Sequence, residues 1–317
     1  MRAIAVLLLV AYHVIGSDTA SGLQIGYPHM PRLYADFFLD VRMPFFAFIA
    51  GYVYALRPPS FESIGSFWWH KLRRLAVPGV VATASFMVVS AVVGTRFAVP
   101  IEDVWRPFVQ SYAHYWFLQA ILVIFVVYGL IDAVLGGRFS PLFLIISCAV
   151  FLSGASFPGS YFSAHSAIYL LPFFLLGVVF CRFAAEIWEE AERLTILLFV
   201  LALICAFWNI RELLENGTFS LHNRDAQSLA FGLAVCSLAF LWCPRLTILE
   251  RLSPYAFTIY LYHVFGTVAA RILGDAAGLN AAEPRFLLGL MGGVLVPVAL
   301  HKFAQRQRHL GKLVLGR

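Results

Sequence analysis

The chain reads as an all-α, polytopic membrane protein of about ten transmembrane helices with both termini in the cytoplasm. Three observations carry that expectation. Of the 317 residues, 61% are hydrophobic and only 13% charged, with a mean hydropathy of +0.82; a water-soluble domain has roughly 25% charged residues and cannot bury so much apolar surface. The apolar residues come in runs of about 20, the length of a membrane-crossing helix, rather than in the short alternating segments of a barrel. Basic residues gather in alternate connections, as membrane topology requires. No composition shift marks an appended soluble domain, so residues 1–317 read as one membrane domain.

The first run, 2–16, has a short basic start but no small-residue cleavage site after it, so it is expected to stay in the protein as a helix rather than leave as a signal peptide. It contains Arg2 and His13. Eleven residues at about 100° each make three turns plus roughly 20°, which places both side chains on one face, about 16 Å apart. The second run, 35–56, carries Asp36, Asp40 and Arg42 in its outer half, with Pro44 just beyond. Residues 61–74 hold Phe67, Trp68 and Trp69 followed by His70, Lys71, Arg73 and Arg74. They read as an interfacial element on the cytoplasmic face, aromatics at headgroup depth and cations toward anionic lipid.

Further runs lie near 75–94, 112–135, 141–156, 166–184, 193–210, 227–243, 252–270 and 285–303, the first and fifth of the ten being short for a straight span. His114 and Trp116 head the fourth. Ser253-Pro254 is expected to open the ninth as N-cap and first-turn proline, and Tyr260, Tyr262 and His263 lie midway along it. Asn216-Gly217-Thr218 matches a glycosylation sequon in an external connection. No internal repeat or low-complexity segment is present.

Of the 23 Lys and Arg residues, fifteen flank the spans on the side of the two termini, seven lie on the other side, and Arg42 is inside a span. That bias puts both termini in the cytoplasm and requires an even number of spans, which ten satisfies. The net charge of +6 therefore expresses topology, not nucleic-acid binding. Cys148, Cys181, Cys205, Cys236 and Cys243 fall in or beside apolar runs without metal-ligand spacing, so they read as small buried hydrophobes and no metal site is expected.

Ionisable groups inside a membrane are costly and tend to face a protein interior or a wet cavity. An ordinary reading stands beside each candidate. Arg2 alone obeys the positive-inside rule; Asp36 and Asp40 suit a solvated helix end; Arg42 suits a kink at Pro44. His114 and Trp116 suit an interfacial belt, and His263 a buried histidine bonded to a neighbouring helix. His13 is the hardest to place in this way, because it lies a dozen residues into its span. An imidazole there can accept a hydroxyl proton near neutral pH, which is the work of a general base, or carry an acyl group covalently as a relay, and the sequence does not separate the two.

Five strings in order are similar to those of the acyltransferase family 3 integral-membrane proteins, most closely the branch resembling fucose 4-O-acetylases: Arg-Ala-Ile-Ala with His13 eleven residues after Arg2; Arg-Met-Pro-Phe-Phe-Ala-Phe-Ile-Ala-Gly-Tyr at 42–52; Lys-Leu-Arg-Arg-Leu-Ala-Val-Pro at 71–78; His-Tyr-Trp-Phe-Leu at 114–118; and Ser-Pro-Tyr-Ala-Phe-Thr-Ile-Tyr-Leu-Tyr-His at 253–263. The resemblance implies transfer of an acyl group, usually acetyl, from cytoplasmic acyl-CoA to a hydroxyl of a carbohydrate or cell-envelope glycan, in a bacterial cytoplasmic membrane, with no permanently bound cofactor. It implies His13 as the catalytic histidine, Arg2 as its essential companion, and Arg73 and Arg74, with Lys71, at the donor. Asp36, Asp40, Arg42, His114, Trp116, Tyr260 and His263 are the candidates for binding the acceptor or orienting His13.

The chain departs from the family in three places. Family members carry several residues before the Arg, where Met1 alone precedes Arg2, so the natural start is expected upstream or Arg2 nearer the interface. Ala3 and Ala50 replace a common Gly and a common Ser, and neither change removes a reactive group. With no esterase-like domain in the sequence, the membrane domain is expected to recognise its acceptor unaided. The competing class is a transporter or flippase for a lipid-linked sugar, which should show repeated halves with helices broken at matching positions.

Overall fold

The computed structural model describes residues 1–157, 161–219, 224–243 and 246–316; Arg245 and Arg317, counted above for topology, lie outside the described residues. Among the described residues there is no strand, only an isolated bridge between Gln110 and Tyr161. The chain begins with α1 (Arg2–Ile15), a bent pair α2 (Met30–Phe37) and α3 (Leu39–Ala55), α4 (Ile64–Lys71) and α5 (Val77–Val93). It continues through α6 (Trp116–Leu135), α7 (Ser140–Leu152), α8 (Ala164–Arg182), α9 (Ala191–Asn216) and α10 (Ala226–Leu241). It ends with α11 (Ala256–Ala276), α12 (Ala282–Arg306) and α13 (Arg308–Leu315), the rest being short helices and turns.

Among the described residues six helical stretches are long and apolar enough to cross a membrane, seven if the α2–α3 pair, bent by 45°, is taken as one span. The helices α1, α7 and α10 are apolar but shorter. At 1.5 Å per residue the 14 residues of α1 reach about 21 Å, short of a hydrocarbon core of about 30 Å. That helix is instead held inside the bundle, against α3, α11 and α12.

Small residues set the closest approaches. Gly51 of α3 lies on the main chain of Phe174, and Gly177 of α8 on that of Phe48, so a Cβ at either would collide with backbone. Gly266 and Gly292 do the same for α11 and α12, and Gly293 and Gly289 receive Val10 and Val14 of α1. In a bilayer, where lipid is as apolar as Leu, such close packing is what holds helices together. The Arg73-Arg74 string forms a π turn, Leu72–Ala76, directly ahead of Pro78, which has no N–H for the turn before it.

Two local expectations change. The seventh span runs on to Asn216 and stops where Gly217 adopts φ +71°, so the sequon there is a helix end capped by a left-handed glycine. Ser253 makes no capping hydrogen bond; the ninth span is entered through a short helix, Thr247–Leu252, and a 3-10 turn, Ser253–Tyr255. Arg32, counted among the loop cations, is buried.

Candidate functional site

The last turns of α1 carry Tyr12 and His13 to the wall of a cavity of about 880 Å³. The Nδ1–H of His13 donates to the carbonyl of Leu9 one turn earlier, at 3.0 Å. A carbonyl only accepts, so that bond assigns the proton to Nδ1 and leaves a lone pair on Nε2. His263, on α11, has Nδ1 at 3.0 and 2.9 Å from the carbonyls of Ile259 and Tyr260, which assigns it the same tautomer. Its Nε2 is buried without a partner among the described residues.

His114 comes from a 3-10 turn, Ala113–Tyr115, that begins with Ala113 at φ +44°. Its Nε2 is 3.4 Å from the Leu261 carbonyl, the opposite assignment. The turn is pinned from two sides: the Tyr260 hydroxyl donates to the His114 carbonyl at 2.6 Å, and the Tyr115 hydroxyl lies 3.1 and 3.2 Å from the carbonyls of Ala82 and Leu261.

The three imidazoles converge. Ring centroids are 4.7 Å apart for His13 and His263, 4.9 Å for His114 and His263, and 5.8 Å for His13 and His114. No carboxylate is bonded to any of the rings among the described residues, and no group of His, Cys, Asp or Glu there is arranged to hold a metal ion. The cluster is therefore a set of neutral proton acceptors and donors, oriented by backbone carbonyls.

Around it, Tyr12, Arg42, Trp116 and Tyr169 complete the cavity wall, and the mouth lies in the connections on the face opposite Arg2. Arg42 is only 4% exposed, its guanidinium 3.4 Å from the centroid of the Tyr12 ring. Asp36 is turned to a different task. It accepts from the Tyr27 hydroxyl at 2.7 Å and pairs with Arg32 Nε at 3.4 Å, while Arg32 Nη2 donates to the Gly16 carbonyl. Those bonds lash the connection after α1 to α2. Asp40 is buried away from the cavity wall.

Arg2 is exposed at the far end of α1, three turns from His13. Arg73 and Arg74 are exposed on that same face, and the Lys71 ammonium sits 4.0 Å from the centroid of the Phe125 ring. The sequence-derived candidates thus fall into two groups at opposite faces. His13, Arg42, His114, Trp116, Tyr260 and His263 form or back the cavity; Arg2, Lys71, Arg73 and Arg74 lie across the bundle from its mouth. Tyr12 and Tyr169 were not singled out from the sequence, and a tyrosine in an apolar run carries no signal that would have found them.

The family profile described as an acyltransferase domain (Acyl_transf_3) matches residues 1–302. The chain belongs to acyltransferase family 3. The match is to the family as a whole and does not single out the branch resembling fucose 4-O-acetylases. No curated protein and no solved structure matches the chain. Both groups of candidate residues in this membrane acyltransferase lie inside the matched region, and so does the histidine cluster. Only the end of α12 and α13 fall beyond it.

Proposed function

We propose that this acyltransferase moves an acyl group, acetyl in the simplest case, from cytoplasmic acyl-CoA to a hydroxyl of a carbohydrate or cell-envelope glycan, with His13 as general base. The observation that supports it most is the state of His13: Nδ1–H tied to the Leu9 carbonyl, Nε2 left as a lone pair in the wall of a cavity of ligand size. The acceptor oxygen attacks the thioester carbonyl while its proton passes to Nε2. As the carbon–sulfur bond breaks, the imidazolium returns that proton to the departing CoA sulfur, so the products are an ester and free CoA thiol.

Acyl-CoA carries several phosphate charges that the bilayer core would not accept. In this reading its nucleotide stays beside Arg2, Lys71, Arg73 and Arg74, and the pantetheine arm extends toward His13. Both termini share that cytoplasmic face, and the glycan approaches the cavity mouth from the other side. Acyl-CoA is a substrate here, and the reaction calls for no resident cofactor.

The test is release of CoA thiol by the purified protein in detergent, wild type beside His13→Ala, with a cell-envelope glycan extract as acceptor. A loss of about 10²- to 10⁴-fold is expected in the variant. Wild-type turnover by a folded His13→Ala protein would sink the base assignment.

A further inference from the structure

Arg42 is a cation without a counter-ion. It is 4% exposed, and Nη1 has no hydrogen-bond partner among the described residues. No carboxylate there lies within ion-pair distance of it. The acid nearest in sequence, Asp40, is two residues earlier on α3, about 200° round the helix. Asp36 is occupied by Tyr27 and Arg32. What the guanidinium does have is Tyr12, whose ring face attracts its charge and whose hydroxyl is within hydrogen-bond reach, but which brings no anion and leaves Nη1 without an acceptor among the described residues.

The cavity carries the same sign outward. Arg96, Arg271 and Arg285 line its mouth, against one lining acid, Asp275. Arg96 is paired with Asp18 at 3.2 Å and Arg285 with Asp275 at 2.6 Å, while Arg271 is exposed and makes no ion pair among the described residues. Among the described residues two positive charges are left without an ion pair, one at the mouth and one at depth, and the histidines between and beside them add no anion. An uncompensated charge buried in a membrane protein marks a site whose partner comes from outside the fold. Walls of low dielectric also focus the field of such charges on whatever enters.

We infer that the cavity holds a subsite for an oxyanion, a carboxylate or a phosphate carried by the acceptor, with Arg42 as its binding cation and Arg271 drawing it in. This deepens the acyl-transfer reading and rests on it for the word acceptor. The anion is held beside Tyr12, whose ring centroid is 5.2 Å from that of His13, so that a hydroxyl elsewhere on the same sugar unit reaches the base. A neutral glycan would leave the guanidinium as unsatisfied as it stands now, and so would bind less tightly.

The experiment is equilibrium binding to the purified full chain in detergent of three soluble probes: a methyl glucuronide, glucose 1-phosphate and a neutral methyl glucoside. A charged probe is expected to bind about 10- to 100-fold more tightly than the neutral one, the range given by one hydrogen-bonded charge contact. The preference should weaken with added salt, vanish in Arg42→Gln and survive in part in Arg42→Lys. A tighter carboxylate assigns the anion to an acidic sugar, a tighter phosphate to a phosphorylated or lipid-diphosphate sugar, and either supports the subsite. Equal affinity for all three, no binding of any, or a preference unchanged in folded Arg42→Gln overturns it. CoA release measured in parallel reads the transfer reaction separately: release without anion preference removes the subsite alone, and anion preference without release removes the transfer reading alone.

Discussion

Each imidazole of the cluster takes its orientation from main-chain carbonyls: Leu9 for His13, Ile259 and Tyr260 for His263, Leu261 for His114. A carboxylate partner would orient the ring and also neutralise it once protonated; a carbonyl orients it and offers only a dipole. In the proposed reaction His263 would supply what is missing: its ring lies 4.7 Å, centroid to centroid, from that of His13, and its buried Nε2, without a partner among the described residues, would accept from a protonated His13. His263→Phe is therefore expected to lower kcat about 10- to 100-fold with the acyl-CoA KM unchanged, and His263→Asn, which keeps an acceptor oxygen, to lose less. Steady-state kinetics on the two variants checks this, and equal losses would assign His263 to packing. The ion pair at the cavity mouth does not titrate in the working range. Asp18 is pushed down to about 2 by the Ser17 hydroxyl and then by Arg96. What that pair adds to stability is fully present above the ordinary value of 3.8 and is lost only as pH falls through about 2.

At the scale of elements, α3, α6, α7 and α8 are locked together at the face carrying Arg2. Asp132, near the end of α6, accepts from Arg182 of α8 at 2.8 and 2.5 Å and from the Tyr54 hydroxyl of α3 at 2.7 Å. Arg182 also donates to Ser140 at the start of α7, at 2.6 Å. One carboxylate and one guanidinium thus fasten four helices. Asp132→Ala leaves that guanidinium, 14% exposed, without its anion, at a cost of about 3 kcal/mol. Thermal denaturation in detergent should show the loss, and Asp132→Ala combined with Arg182→Leu should recover part of it. A double variant no better than the single one would mean that the pair does not act as a unit. On the sequence this network was invisible: Asp132 and Arg182 each sit near a span end, where a charge is expected to face water.

For the molecule as a whole, the division of candidate residues between two faces matters more than any one of them. The histidine cavity opens opposite Arg2, and the cations proposed for the donor lie across the bundle from that mouth. Helix α13 adds to the face carrying those cations: it buries Val314 and Leu315, and Gly316 rests on the main chain of Arg73 and Arg74. The Arg73-Arg74 turn is therefore supported from below while its side chains stay exposed. Arg73→Ala with Arg74→Ala is expected to raise the KM for acyl-CoA about tenfold and leave that for the acceptor alone. An unchanged donor KM would take both residues out of the donor site.

Composition and run length by themselves determined an all-helical membrane protein and the place of each apolar helix within several residues, because bilayer thickness dictates how many apolar residues a span needs. The strings around Arg2, Arg42, Lys71, His114 and Ser253 determined the family, and His13 stood out because an imidazole deep in an apolar run is costly. The tertiary structure decided which of the polar residues meet. His13, His114 and His263 sit on helices far apart in sequence, and nothing local marks them as neighbours. Asp36 and Arg42, six residues apart in one polar string, were separated by packing into a fastener for a loop and an unpaired cation on a cavity wall. Sequence reports what each residue would cost in a membrane; only the packing of helices from distant parts of the chain supplies the partner, or withholds it.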